Sequence, residues 1–261
     1  MSTTLVIFTL CISFGNASWW HPHPHMNWNY VIGERHINTS IYGNMFVVDL
    51  DVDKRIIENL HREGKKVICN FSAGTKECSR KDAGQFPPDG LGAPVKDYPK
   101  ETWVDIMNIE VRRIMRARII LANSRHCDGV YPSNVDGWVN NQAGLHLTPE
   151  NQLDYNRYLA NVAHDNGLAI GLAGGKEQLN DLVGDFDFAI IHFSCMDFSL
   201  ECHKYKPFFD ARKPVFHIHS VSSIAVGHQK QKEICSSSKR PHDMNTIIKI
   251  KHKDTNWKLD C

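Results

Sequence analysis

Short apolar runs recur along this chain at intervals too long for hairpins, and amphipathic stretches fill most of the gaps between them. The runs are Trp28–Ile32, Met45–Asp51, Lys66–Ser72, Asp128–Tyr131, Leu168–Leu172, Phe186–Ile191, Pro214–Ile218 and Thr246–Ile250. Strands this uniformly apolar are buried on both faces, which is the situation of a parallel sheet covered by helices. The intervening stretches carry helical signals. Ile56, Ile57 and Leu60 share one face, and Gly64 supplies a left-handed stop. A long helix is predicted from about Glu101, because Trp103, Met107, Val111, Ile114 and Met115 recur every three or four residues. Thr148-Pro149-Glu150 joins an N-cap, a proline at the first helical position and an acid in the first turn. Leu153, Tyr158, Leu159 and Val162 line the apolar face that follows, and Asn166-Gly167 ends it. Eight such units in about 230 residues match a closed (β/α)8 barrel, the TIM-barrel arrangement. Spacing alone leaves a doubly wound open sheet as the alternative.

A chain of 261 residues with 42% hydrophobic content has enough material for one large core, and no linker divides it. A single domain over residues 18–261 is therefore expected. Thirty Lys+Arg against 29 Asp+Glu give a formal charge of +1, which offers no electrostatic attraction to nucleic acid or an anionic membrane. Residues 1–17 read as a secretory signal peptide: Leu5–Leu10 is apolar but too short to span a bilayer, and Gly15 and Ala17 suit a peptidase before Ser18. A secreted, extracellular protein follows.

Of eight cysteines, Cys11 would leave with the signal, and an oxidising compartment favours pairing among the other seven. Cys195 and Cys202 are close enough to close a small loop, and Cys235 with Cys261 would pin the C-terminal tail. Cys69, inside an apolar strand, is expected to be the inert free thiol, and Cys78 and Cys127 stay unassigned. No CxxC spacing occurs, and His21, His23 and His25 among prolines read as a surface segment. Neither a metal nor a cofactor is expected. Asn38 and Asn70 head glycosylation sequons, the first in a polar stretch and the second at the end of an apolar run.

Four segments in order resemble glycoside hydrolase family 114, the endo-α-1,4-polygalactosaminidase type. They are Val67–Gly74, Cys127–Gly137 (reading CDGVYPSNVDG), Asn151–Arg157, and Phe186–Ala189 running into Cys195. Trp19-Trp20-His21-Pro22 and Trp28-Asn29-Tyr30 resemble the family's start. The resemblance implies a closed (β/α)8 barrel and a secreted enzyme acting on α-linked galactosamine polymers. Its site would lie where the βα loops gather, at the carboxyl ends of the strands.

Glycoside cleavage requires two carboxyl groups flanking the bond. The family's fourth strand usually runs Asp-Gly-Val-Glu/Asp-Pro-Asp-Asn-Val-Asp, whereas Tyr131 and Ser133 stand at the two acidic positions beside Pro132 here. After the sixth strand the family has Asn-Glu-Gln-Cys. Here Ile191-His192-Phe193-Ser194-Cys195 carries one extra residue, and His192 or Phe193 replaces the glutamate. Both expected catalytic carboxylates are thus absent, so hydrolysis is expected to be impaired. Two function classes remain. A hydrolase with a displaced pair would use Asp128 or Asp136 with Asp49 or Asp51. A non-catalytic barrel would bind a galactosamine-type carbohydrate, or another extracellular partner, through Trp28, Asp49, Asp51, Ser72, Tyr131, Asn134, Trp138 and His192. Asp128 and Asp136 have local structural roles as their bland alternative, and Glu77 and Asp82 are candidates for the groove rim.

Overall fold

The computed structural model describes residues 18–33, 37–139, 144–192, 200–250 and 256–261. Eight parallel strands form the frame: β1 (Trp28–Tyr30), β2 (Met45–Asp49), β3 (Lys66–Ser72), β7 (Gly129–Ser133), β8 (Ala169–Ala173), β9 (Phe188–His192), β10 (Val215–Val221) and β11 (Met244–Ile250). They pair in that order and in one direction, as crossover helices require. The chain adopts the (β/α)8 barrel. Its strands are buried nearly throughout, and one contiguous core runs from Met26 to Ile250.

The helices form where their caps and apolar stripes dictate. Asp53 caps α1 (Lys54–Arg62) by accepting from the Arg55 N–H, and the helix buries Ile57 and Leu60 before Gly64 turns at φ +73°. Asn108 caps α2 (Ile109–Ser124). Thr148 opens α3 (Pro149–Asp165) with a reciprocal capping box to Asn151, which satisfies two backbone N–H groups that a helix start leaves free. Two short helices, α4 (Leu179–Leu182) and α6 (Lys206–Asp210), and the turn α5 (Leu200–His203) lie in the second half. The last helix is α7 (Ile224–Cys235), capped by Ser223.

The helix predicted from about Glu101 begins only at Ile109, where α2 buries Val111, Ile114 and Met115. Residues 75–104 fold instead into a three-stranded antiparallel unit of β4 (Thr75–Glu77), β5 (Leu91–Val95) and β6 (Tyr98–Val104), in the order β4-β6-β5. Trp103 and Val104 are buried by pairing with Thr75 and Leu91 rather than by a helical stripe. The unit is anchored where the Val104 N–H donates to the Gly74 carbonyl at 3.0 Å. Gly74 is needed for a second reason: a Cβ there would lie 1.8 Å from the Asn134 carbonyl oxygen, so the loops after β3 and β7 touch backbone to backbone.

The barrel's seam has its own construction. Among the described residues no backbone ladder joins β11 to β1. The free edge of β11 receives β12 (Leu259–Asp260), antiparallel, with Ile248 opposite Leu259. Side chains bridge the rest of the seam. Trp28 Nε1 donates to the Asn245 carbonyl at 3.2 Å, Lys258 Nζ to the Trp28 carbonyl at 3.0 Å, and Lys249 Nζ to Asn29 Oδ1 at 2.8 Å.

Cys235 is bonded to Cys261, tying β12 to the end of α7. Cys69 is bonded to Cys127, which corrects its assignment as the free thiol. Both residues are buried, and Cys127 enters β7 next to β3, so their Cα atoms lie 6.0 Å apart. Cys78 is an exposed free thiol. Cys202 is buried and disulfide-bonded, while its expected partner Cys195 lies outside the described residues, as do the expected signal residues 1–17.

Candidate active site

The carboxyl ends of the strands bring together residues that are far apart in the chain. Tyr30 ends β1, Asp49 ends β2, Ser72 ends β3, Ser133 ends β7 and His192 ends β9. His192 stands between two tyrosines. The Tyr30 ring meets it edge-on at 4.8 Å, and the Tyr131 ring lies nearly parallel to it at 6.2 Å. Tyr131 also donates its hydroxyl to the Ile190 carbonyl at 3.4 Å. Burial pushes the His192 imidazolium down to about 4, so the ring is neutral near pH 7. Burial, and then the negative charge of Asp49, push the Tyr30 phenol up, so it stays protonated.

One buried cation organises the acids at the mouth. Arg80, from the loop after β4, is 6% exposed, yet it meets three carboxylates that are 21–41% exposed. Its guanidinium reaches Asp49 Oδ2 at 2.9 Å and Asp51 Oδ2 at 3.1 Å, and its Nε contacts Glu77. Burial alone would lower the Arg80 pKa, but the bonds and charges of Glu77 and Asp49 outweigh it and raise the value. Behind it, Arg118 pairs with Asp82 through two bonds of 2.7 and 2.8 Å and donates to the Ser72 carbonyl. Asp82 is accordingly held below the usual carboxylate range: burial pushes it up, and the bonds and charge of Arg118 more than offset that.

Arg118 Nη1 also lies 3.7 Å from Glu77, so four acids, Asp49, Asp51, Glu77 and Asp82, face two bases, Arg80 and Arg118, and leave the cluster negative. A hollow of about 270 Å³ opens there, lined by Val31, Ile32, Ile37, Asp49 and Asp51. Asp51 and Arg80 also line a neighbouring one of about 200 Å³. The arrangement can hold a cation, because the acids are anchored and partly open to solvent.

Ser72 and Ser133 are already engaged. Ser72 Oγ shares a 2.6 Å hydrogen bond with Thr75 Oγ1 and accepts from Asn134 Nδ2 at 2.9 Å. Ser133 donates to the Phe71 carbonyl at 3.3 Å. Asn134 takes φ +59°, a left-handed position that asparagine tolerates. Three residues beyond β7, the Asp136 carboxyl lies under the β8 loop, where a Cβ on Gly174 would come within 2.8 Å of its Oδ2. Burial, then the charge of Glu177, push the Asp136 pKa up, against its own backbone N–H and Lys176.

Other sequence candidates lie elsewhere. Asp128 precedes β7 at the opposite end of the barrel. Its oxygens take His61 Nε2 at 2.8 Å, Lys66 Nζ at 2.7 Å and the Val67 N–H at 2.9 Å, which is a structural role. Trp28 opens β1 at that same end, 1% exposed and packed on Phe216, so it offers no face to a sugar. Trp138 is half-buried in the single turn Gly137–Val139 after β7. Asn70 is 7% exposed, and its amide donates to the Tyr131 carbonyl at 2.8 Å, which leaves no room for a glycan. Asn38 is exposed. Phe193, the alternative to His192, is outside the described residues.

Sequence reasoning missed Arg80 and the interior histidine His217. Arg80 left no pattern, since it is a lone cation in a loop. His217 had one: His217-Ile218-His219 alternates on a strand, so both rings share a face. His217 is fully buried and within 3.3 Å of Thr246 Oγ1. Burial, then the charges of His219 and His192, bring its pKa to about 3.

A (β/α)8 barrel that gathers acids, aromatics and an imidazole at the carboxyl ends of its strands has its candidate site where barrel enzymes carry theirs. The sequence profile of glycoside-hydrolase family GH114 matches residues 11–261, and the chain belongs to that family. The crystal structure of Aspergillus fumigatus Ega3 in complex with galactosamine superposes with a TM-score of 0.84 at 31% identity, covering 94% of this chain and 98% of that one. The glycoside hydrolase domain of PelA from Pseudomonas aeruginosa superposes with a TM-score of 0.69 at 13% identity, covering 91% and 98%, a likeness of fold. No curated protein sequence matches the chain.

Proposed function

We propose that this protein is a secreted, extracellular barrel that binds an α-linked galactosamine-type polymer at the mouth formed by β1, β2, β3, β7 and β9, with hydrolysis impaired. The observation that carries the reading is what stands at the ends of β7 and β9. Ser133 is a hydroxyl bonded to backbone, and His192 is a neutral ring between Tyr30 and Tyr131. Neither can serve as the carboxylate that stabilises an oxocarbenium-like transition state. Binding is a different matter. An amino sugar without its acetyl group is a cation near neutral pH, and the Asp49–Asp51–Glu77 rim is negative. The Ega3 relative is a structure with galactosamine bound, which supports the same ligand class here.

One observation favours a second reading. Asp136 is a carboxyl raised by burial and by Glu177, which is the property of a general acid. A displaced pair built on Asp136 would keep the chain a hydrolase. Incubating the purified protein with de-N-acetylated and N-acetylated galactosamine oligomers, with binding and cleavage followed together, separates the two. Binding without cleavage supports the first reading. Cleavage that disappears in Asp136→Asn establishes the second. Failure to bind either oligomer would direct the search to a non-carbohydrate partner.

A further inference from the structure

At the opposite end of the barrel, His25, His242 and Asp243 converge from the two ends of the chain. His25 lies just before β1, and Asp243 directly precedes β11. His25 Nε2 is 3.3 Å from Asp243 Oδ1, His242 Nδ1 is 2.9 Å from the same oxygen, and the three ligand atoms all lie within 4.8 Å of one another. Ligands on a tetrahedral zinc, with bonds of about 2.0–2.1 Å, stand about 3.3 Å apart. These separations need little adjustment to meet that.

His25 takes φ +64°, an uncommon conformation for a residue that is not glycine. It is fixed between Pro24, whose ring restricts the chain, and the buried Met26, whose sulfur accepts from the His23 N–H. The two imidazoles face each other edge-on with ring centres 5.8 Å apart. His25 also lines both hollows at this end, one shared with His242 and the other with Asp243, so solvent and ions reach the cluster.

We propose that His25, His242 and Asp243 bind a divalent transition ion of the zinc class, with water completing the shell. Two imidazoles and one carboxylate suit a borderline ion. Calcium and magnesium demand more oxygen ligands than this cluster offers. The nearby cations Arg240, Arg212 and Lys213 weaken the hold on any divalent ion, so an ion kept here needs the stronger bonds that imidazoles give the zinc class. Arg240 is itself occupied with the Met244 carbonyl at 2.7 Å. The ion would act as a clasp. It would join the segment leading into the first strand to the segment leading into the last, across the seam where no backbone ladder runs among the described residues.

Zinc alone is the probe, added to the metal-stripped full-length protein and followed by calorimetry and thermal melting. One equivalent should bind with a Kd below about 100 μM, and saturation should raise Tm by several degrees, because only the folded state assembles the site. His242→Ala and Asp243→Asn should each weaken binding at least about tenfold, and His21→Ala/His23→Ala should leave it within about threefold. All these side chains are at least half-exposed or nearly so, so the variants should fold, and their metal-free Tm values check this. Absence of saturable binding overturns the proposal. So does any other ranking of the variants, because binding that follows His21 and His23 would belong to the histidine run alone.

Discussion

Lys249 Nζ donates to Asn29 Oδ1 at 2.8 Å with both side chains buried, so the last barrel strand grips the first through an ammonium rather than through backbone. The two substitutions at this contact are unequal. Asn29→Leu removes an acceptor from a buried charge and should cost about 2–4 kcal/mol. Lys249→Met removes the charge itself, while Asn29 Oδ1 keeps the Tyr30 N–H, and should cost less than about 1.5 kcal/mol. Urea denaturation midpoints of the two variants test this, and the reverse order would mean that Asn29 is not the main partner of the buried ammonium.

Arg80 predicts a loss of stability at the mouth. In Arg80→Gln, Asp49, Asp51 and Glu77 lose their shared cation, and stability at pH 7 should fall by about 2–4 kcal/mol. Asp51→Asn should change stability by less than about 0.5 kcal/mol, since that side chain is 41% exposed, yet weaken binding of a cationic oligomer at low salt. Denaturation at pH 7 and titration at two salt concentrations provide the measurements.

The buried imidazoles set an acid-sensitive window. His192 is lowered to about 4 and His217 to about 3 from an ordinary value near 6.5. Between those values the unfolded chain holds protons that the folded one refuses, so stability rises with pH. Their stabilisation is complete above about pH 6.5 and diminishes as pH falls towards 4, by up to about 1.4 kcal/mol per unit for each ring. His217→Gln should flatten the slope of unfolding free energy between pH 4.5 and 6.5, and an unchanged slope would contradict this.

Asp187 acts in the other direction. Burial pushes its carboxyl up, but bonds from His164, Trp19 and the Ile170 N–H bring it below the ordinary carboxylate range. Stability from a lowered carboxyl is present above about pH 3.9 and is lost as pH falls through the folded value. Asp187→Asn should therefore destabilise the protein at pH 7, by about 1–3 kcal/mol, and the difference from the parent should shrink below about pH 3.9. Acid-denaturation curves of the pair would show a constant offset if the carboxyl carried no such linkage.

The chemistry at the mouth can be tested by restoration. Ser133→Asp with His192→Glu returns carboxyl groups to the ends of β7 and β9. If their absence limits hydrolysis, the double variant should cleave galactosamine oligomers at least about tenfold faster than the parent, and each single variant should gain little, because the chemistry needs a pair. Product formation over time measures it, and an equally inert double variant would place the defect elsewhere.

The eight barrel strands were legible because each is an apolar run buried on both faces, and β3 and β8 show this most plainly. The inserted unit was not. Tyr98 to Thr102 are largely exposed, and Trp103, Met107 and Val111 fall by accident on helical spacing although only Val111 lies in a helix. The Cys69–Cys127 bond was hidden because 58 residues separate partners that meet only when β3 and β7 pair. The acids at Asp49 and Asp51 were visible as the polar end of a strand. Their organiser Arg80, and the partners of Asp128, come from distant loops and helices that leave no local pattern. His25 was visible within its proline run, but its neighbours His242 and Asp243 arrive from the other end of the chain.

Two of the residues that set the charge of the mouth, Glu77 and Arg80, belong to the inserted segment between β3 and α2 rather than to the barrel. The segment begins at Gly74 and returns at Val104, and those two residues are hydrogen-bonded to each other. Its two ends therefore meet at one point on the rim. Replacing the whole piece would change the charge of the mouth without shifting the register of a single barrel strand. The charge at the mouth is thus carried by a separable cassette, and the frame beneath it is built without it.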